Sequence, residues 1–264
     1  MAPETTTPFA VVTGASRGIG LGLARQFAAH DFDVLVCAED AAITEAAQTL
    51  ARLGTTVRGV QVDLATDDGV GLLAAEIAAA GRPVDAIALN AGVGVGGAFA
   101  ETRWEDDLYL LRLNIVSTVH LTKLVLPAMI ARGAGRLLFT ASVAATMPGP
   151  YYATYAASKA FVQSFAEAVR YEVKDSGVTV TSLMPGPTDT AFFERAGMED
   201  TKVGEGKKDD PAEVAKDGFE ALMEGKDHVV AGSVKNTAQV ATSKAMSEQA
   251  KAALHARQTE PKDG

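Results

Sequence analysis

A chain of 264 residues, 47% apolar and 22% charged, has the length and composition of one large globular α/β domain with a sizeable core. A net charge of −9 repels nucleic acid and anionic membrane surfaces, so neither is expected as a partner, and no apolar run is read as a membrane span. The opening stretch MAPETTTPFA lacks the basic and apolar parts of a secretory signal, and a lone cysteine, Cys37, makes no internal disulfide, so a reducing cytoplasm is the expected location.

In chain order, the short and often β-branched runs at 9–13, 33–37, 56–62, 85–89, 136–140, 178–183 and 228–232 read as strands buried on both faces. Between them lie helical patterns near 19–29, 41–53, 67–80, 104–131, 152–175 and 211–224. Cys37, inside the second strand, reads as a small core residue. Strand–helix alternation on this scale predicts right-handed βαβ units in a doubly wound, mostly seven-stranded parallel sheet with helices on both faces. With no linker, low-complexity tract or repeat, residues 1–264 are read as a single domain. Residues 1–7 and about 235–264 are expected to be peripheral tails. The second of these is alanine-rich with a thin apolar face, and its composition alone does not decide between a docked helix and a mobile tail.

Two helical patterns, DLYLLRLNIVSTVHLTKLVLPAMIA and YAASKAFVQSFAEAV, carry apolar residues on more than one side. Such helices need a second partner besides the sheet, and another copy of the chain, in a homodimer or homotetramer, is the expected one. The four histidines, His30, His120, His228 and His255, are scattered without a cysteine cluster, so they read as ordinary core or surface residues and no metal site is expected.

The chemistry-bearing motifs begin where the first strand runs into TGASRGIG at 13–20. Gly14, Gly18 and Gly20 permit a tight turn and close approach of a pyrophosphate to the following helix N-terminus, although the spacing is G-x-x-x-G-x-G. Farther along, Tyr155 and Lys159 sit four residues apart on one helical face. A phenol with an ordinary pKa near 10 transfers protons poorly at neutral pH, and a neighbouring ammonium and an oxidised nicotinamide would favour its phenolate. Ser142, at the end of the RLLFTAS strand, is placed to offer a hydroxyl to a substrate oxygen opposite that phenol.

Over roughly residues 9–232 this ordered set resembles the short-chain dehydrogenase/reductase family, in its shorter oxidoreductase branch with a Rossmann-type fold. The landmarks are TGASRGIG, the Asp63-Leu64 pair, Asn90-Ala91-Gly92, Asn114, Ser142, Tyr155 with Lys159, and PGPTDT at 185–190. The resemblance implies an NAD(P)-dependent oxidoreductase of alcohol dehydrogenase or carbonyl reductase type. It implies Tyr155 as proton donor and acceptor, Ser142 on the substrate oxygen, Lys159 on the phenol's pKa and the nicotinamide ribose, and Asn114 as anchor of a water relay. A merely structural Asn114, satisfying backbone groups in a buried helix, and an Asp63 that only ends a strand remain open beside these roles. By the same resemblance, Ser16, Arg17 and Ile19 join the three glycines on the cofactor and Asp63 and Leu64 contact adenine. Asn90, Ala91 and Gly92 then line the cofactor, while Pro185, Gly186, Thr188 and Thr190 fix its carboxamide.

Choice between NAD and NADP falls at the end of the second strand, Cys37-Ala38-Glu39-Asp40. Glu39 would repel a 2′-phosphate and accept ribose hydroxyls, whereas Arg17 stands where a basic residue often accompanies NADP; the balance leans to NAD. Residues 190–210, with Phe192, Phe193 and Met198, resemble the family's substrate flap, and Val93, Val95, Met147, Tyr151 and Tyr152 are expected nearby. The expected small-molecule substrate is a neutral, apolar ketone or secondary alcohol, with Arg195 the candidate for clamping an acidic one. Nucleotide-sugar epimerisation or dehydration usually comes with a longer carboxy-terminal region, and a non-catalytic dinucleotide sensor or scaffold has little need for Ser142, Tyr155 and Lys159 together.

Overall fold

The computed structural model describes residues 7–243 and 245–262, so the expected amino-terminal tail, apart from Thr7, lies outside the described residues. Seven parallel strands form one sheet in the order β3-β2-β1-β4-β5-β6-β7. They are β1 (Phe9–Thr13), β2 (Asp33–Ala38), β3 (Val57–Gln61), β4 (Ala86–Leu89), β5 (Gly135–Thr140), β6 (Val178–Pro185) and β7 (His228–Ala231). Helices α1 (Gly18–Ala29), α2 (Ala42–Ala51) and α3 (Asp67–Ala79) follow the first three strands. A continuous helical segment from Trp104 to Arg132 follows β4, α6 (Ala153–Glu172) follows β5, and α7 (Phe192–Arg195), α8 (Lys202–Glu205) and α9 (Pro211–Met223) lie between β6 and β7.

Period-two alternation along a strand sends neighbouring side chains to opposite faces, and the core obeys it. In β1, Val11 joins the face packed by Leu73 of α3 and by Val162 and Val169 of α6. Its neighbours Ala10 and Val12 join the other face, filled by Leu23 and Phe27 of α1, Ile43 of α2, and Phe219 and Leu222 of α9. Fully burying one such leucine or phenylalanine contributes about 1.5–3 kcal/mol. The expectation of strands buried on both faces holds for the central ones and fails at the edges. Arg58, Gly59 and Gln61 of β3 and His228 of β7 are exposed, because an edge strand has a neighbour on one side only.

The Trp104–Arg132 segment comprises α4 (Trp104–Leu111), a π-helical turn (Arg112–Val116) and α5 (Ser117–Arg132). Contrary to the expectation from sequence, it is long and apolar enough to cross a membrane, with a mean hydropathy of 1.5 in its most apolar window. Here it packs on the sheet through Leu113, Leu121, Val125 and Met129, while 44% of that window is buried.

Of the two possibilities that composition left open for the carboxy-terminal segment, the structure shows the docked helix. The segment forms α10 (Val234–Ser243) and α11 (Glu248–Thr259), and α11 buries His255 and Thr259 against the rest of the fold. The sheet order reverses between β1 and β4, so their following segments diverge and leave a crevice beyond the strand carboxyl ends.

Candidate active site

That crevice is a single cavity lined by all the expected catalytic and cofactor positions except three, and of the loop residues expected near the substrate Val93 and Tyr152 line it while Val95, Met147 and Tyr151 do not. Gly14, Ser16, Arg17, Gly18, Ile19 and Gly20 form one end with Glu39. Asn90, Ala91, Gly92, Ser142, Tyr155 and Lys159 line it further on, as do Pro185, Gly186, Thr188 and Thr190. Asp63, Leu64 and Asn114 do not line it. Leu64 is buried in the core, and the Asp63 carboxylate accepts from the Ala65 amide at 2.9 Å and the Tyr109 hydroxyl at 3.1 Å. Burial and the Asp63 carboxylate together hold the Tyr109 phenol well above its ordinary range.

The glycine loop is shaped for an anion. Gly14 adopts φ +66°, and a Cβ there would stand 2.8 Å from the Ala91 Cα. Arg17 caps α1 without a side-chain bond, and no acid occupies the helix's first turn. The first N–H groups and the positive end of the helix dipole are therefore left for a ligand, so the residues present fit a dinucleotide pyrophosphate. Asn90 lines the cavity and also braces the loop. Its amide donates to the carbonyls of Thr13 and Gly14 at 3.1 and 3.3 Å and accepts from Thr140 at 3.2 Å, which ties the glycine loop to the ends of β4 and β5.

The two charges that pull cofactor choice in opposite directions are both paired. Arg17 binds Asp40 at 2.9 Å, and the Ser16 hydroxyl donates to the same carboxylate oxygen at 2.9 Å. Glu39 is bridged by Arg195, which reaches back from α7 (Phe192–Arg195) in the flap. Arg195 thus lines the cavity with its guanidinium paired to Glu39.

Tyr155 and Lys159 lie on α6, one turn apart, and both are buried. Burial pushes the Tyr155 phenol up to about 12, and the Ser142 hydroxyl beside it works the other way. Lys159 donates to the Thr140 carbonyl at 2.8 Å, and burial pushes its ammonium down to about 8. Its Nζ lies 5.8 Å from the centre of the Tyr155 ring. The Ser142 oxygen accepts from the Ala144 amide at 3.1 Å and donates to the Pro185 carbonyl over a long 3.4 Å.

Asn114 falls in the π turn. Its side chain bonds both backbone groups of Val93, at 2.9 and 3.0 Å, and donates to the Ser158 hydroxyl at 3.0 Å. The side-chain amide thus positions the 92–93 segment, against which Lys159 stands.

The flap lies down on this centre. Phe192 packs against Tyr155 with ring centres 5.0 Å apart, and Phe193 and Met198 are buried beside Leu110. Close approach is allowed by Gly94 and Gly96, where added Cβ atoms would meet Phe192 at 2.6 Å and Met198 at 2.4 Å. The VGVGG run was visible in the sequence, but nothing in it revealed which segment it would receive. Also missed were Gln239, His255 and Gln258, which reach the cavity from α10 and α11. Their helices are too polar for an apolar stripe to betray docking.

A family model described as short chain dehydrogenase matches residues 8–200. The chain belongs to the short-chain dehydrogenase/reductase family. Dehydrogenase/reductase SDR family member 7B of Rattus norvegicus is 33% identical over 235 residues, covering 83% of this chain and 72% of that one. A short-chain dehydrogenase from Sphingobium yanoikuyae in complex with NADPH superimposes with a TM-score of 0.79 at 25% identity, covering 84% of this chain and 87% of that one. A family member from Burkholderia phymatum in complex with NAD gives 0.80 at 25% identity, with coverages of 91% and 93%. The seven-stranded Rossmann-like sheet expected from the sequence is borne out, and the protein is an NAD(P)-dependent oxidoreductase of this family.

Proposed function

We propose that this oxidoreductase interconverts a neutral ketone and its secondary alcohol, with Tyr155 as the acid/base. The convergence of Ser142, Tyr155 and Lys159 under an aromatic flap carries this reading. The bound nicotinamide cofactor supplies or accepts the hydride. A phenol held up near 12 stays protonated, ready to hand its proton to a carbonyl oxygen in reduction. The long Ser142 contact to Pro185 is weak enough for a substrate oxygen to replace it, which orients and polarises the carbonyl. Lys159 spends one of its three N–H donors on Thr140 and keeps two for ribose hydroxyls. Phe192, Phe193 and Met198 exclude water from the same space.

For the cofactor, NAD is the better fit. Arg17 is neutralised by Asp40, and Glu39 keeps a carboxylate where a 2′-phosphate would need a cation. We propose further that the chain self-associates through the outer sides of α4, α5 and α6, where Trp104, Val116, Leu124 and Phe161 are exposed.

Replacing Tyr155 by Phe tests the central claim. Ketone reduction followed by loss of reduced cofactor is expected to fall by 100-fold or more, about what a positioned acid contributes, while cofactor binding by fluorescence titration survives. Undiminished turnover would remove Tyr155 from the chemistry.

A further inference from the structure

The cavity lining is mixed. Phe192, Phe193 and Met198 are apolar, whereas Tyr152, Gln239, His255 and Gln258 bring polar groups to it. Tyr152 is stacked on Tyr155 with ring centres 5.6 Å apart and 21° between planes, and its hydroxyl is hydrogen-bonded to His255 Nε2. His255 Nδ1 lies 2.8 Å from the Pro148 carbonyl oxygen. A carbonyl only accepts, so Nδ1 carries the ring proton and Nε2 offers a lone pair. The Tyr152 hydroxyl must then donate to His255, which leaves its oxygen able only to accept from within the cavity. Burial disfavours the imidazolium of His255 and so maintains this polarity.

The arrangement is built rather than incidental. The Thr259 hydroxyl donates to the Pro150 carbonyl at 2.8 Å and the Tyr151 hydroxyl donates to Glu260 at 2.8 Å, so α11 grips the loop before α6 at three points. Within that loop Tyr151 takes φ +61°, a conformation unfavourable for a side chain this large. The grip holds that turn, which delivers Tyr152 to the cavity next to the acid/base.

We infer that Tyr152, polarised by His255, is a substrate-recognition hydroxyl that accepts a hydrogen bond from a hydroxyl or N–H on the substrate. This rests on the ketone-reduction reading and narrows it to ketones bearing a donor beside the carbonyl, on the side facing α11. Stacking of the two rings means that the substrate's donor lies close enough to the reacting carbon for Tyr152 and Tyr155 to be engaged together.

Three probes separate the possibilities: benzylacetone, its β-hydroxy derivative, and the methyl ether of that derivative. Steady-state kcat/KM with wild-type enzyme is paired with calorimetric binding to the Tyr155→Phe enzyme–cofactor complex, which scores recognition without turnover. The hydroxy ketone is expected to lead both other probes by about tenfold, the cost of leaving a buried acceptor unpaired. Tyr152→Phe is expected to shrink that lead to within a factor of two or so, since the acceptor oxygen is gone. His255→Leu frees the Tyr152 hydroxyl to donate inward, so the methyl ether should gain on the hydroxy ketone. Equal binding and turnover of the three by the wild type, or an unchanged ratio in Tyr152→Phe, overturns the inference and leaves ketone reduction standing. Selective binding with no turnover by the wild type overturns ketone reduction and keeps the recognition role. Binding of none of the three counts against both.

Discussion

Lys159 spends its closest hydrogen bond on the carbonyl oxygen of Thr140, at 2.8 Å, and not on Tyr155. The lysine therefore ties α6 to the end of β5 and stands as a buried ammonium beside the phenol, held down to about 8 by desolvation. In the unfolded chain the same amine titrates near 10.5. Between these values the unfolded state binds more protons, so stability rises with pH across that window and the ammonium's full burial cost is felt below about pH 8. Tyr155 acts in the opposite sense: above about pH 10 the unfolded chain loses a proton that the native phenol keeps to about 12, and stability falls. Thermal unfolding of the cofactor-free protein, wild type against Lys159→Met, isolates the lysine. The wild-type curve should gain on the variant from pH 8 to 10.5 by on the order of 2 kcal/mol. Parallel curves would show that the ammonium is solvated.

The sheet was legible because its central strands are short β-branched runs, and the motif order placed Ser142, Tyr155 and Lys159 before any geometry was known. What was hidden shares one physical trait: it is made by contacts that leave no periodic trace. Asn90 and Asn114 also brace backbone segments, a role the sequence does not reveal, since a side-chain amide satisfies backbone groups as readily as it binds a cofactor or water. The α10–α11 segment docks through polar bonds of His255, Thr259 and Asn236, which a search for an apolar face passes over. Glu39 and Arg17 point opposite ways when taken alone, and only the fold shows each paired, with Arg195 and Asp40 respectively.

Glu39 and Arg195 supply a test of cofactor choice. On the NAD reading, Glu39→Ser removes the carboxylate proposed to accept the ribose hydroxyls and at the same time frees the Arg195 guanidinium for a 2′-phosphate. Both effects act in one direction, so the ratio of kcat/KM for NADP over NAD should rise by tenfold or more. The bridge is half-exposed and worth at most about 1 kcal/mol, so the melting temperature should move by only a few degrees. A wild-type enzyme already preferring NADP by tenfold would sink the assignment to NAD.

Gly94 controls how far the flap descends. A Cβ at this position would lie 2.6 Å from the Phe192 ring and 3.1 Å from the Ala196 Cβ, so Gly94→Ala must lift Phe192 away from Tyr155. The expected result is a KM for ketone raised roughly tenfold, with stability reduced by about 1–3 kcal/mol for the overpacked contact. Cofactor dissociation constants should stay within about twofold, since the glycine loop around Gly14 is untouched. Unchanged ketone kinetics would mean that the flap does not shape the substrate site.

Self-association is the remaining property to be measured, and its surface is specific. Leu124 and Val116 stand out from α5 and the turn before it, 45% and 50% exposed, and Phe161 from α6 stacks on Phe165 with ring centres 5.9 Å apart. An apolar strip along helices whose other sides already pack on the sheet is costly to leave in water, at about 25 cal/mol per Å². Sedimentation of the wild type at micromolar concentration is expected to give a multiple of the 27.4 kDa chain mass. Leu124→Glu combined with Phe161→Glu should return that mass to 27.4 kDa, because each glutamate would have to be buried unpaired at the interface. A wild type that sediments as a single chain would mean that this strip has no copy of itself as a partner.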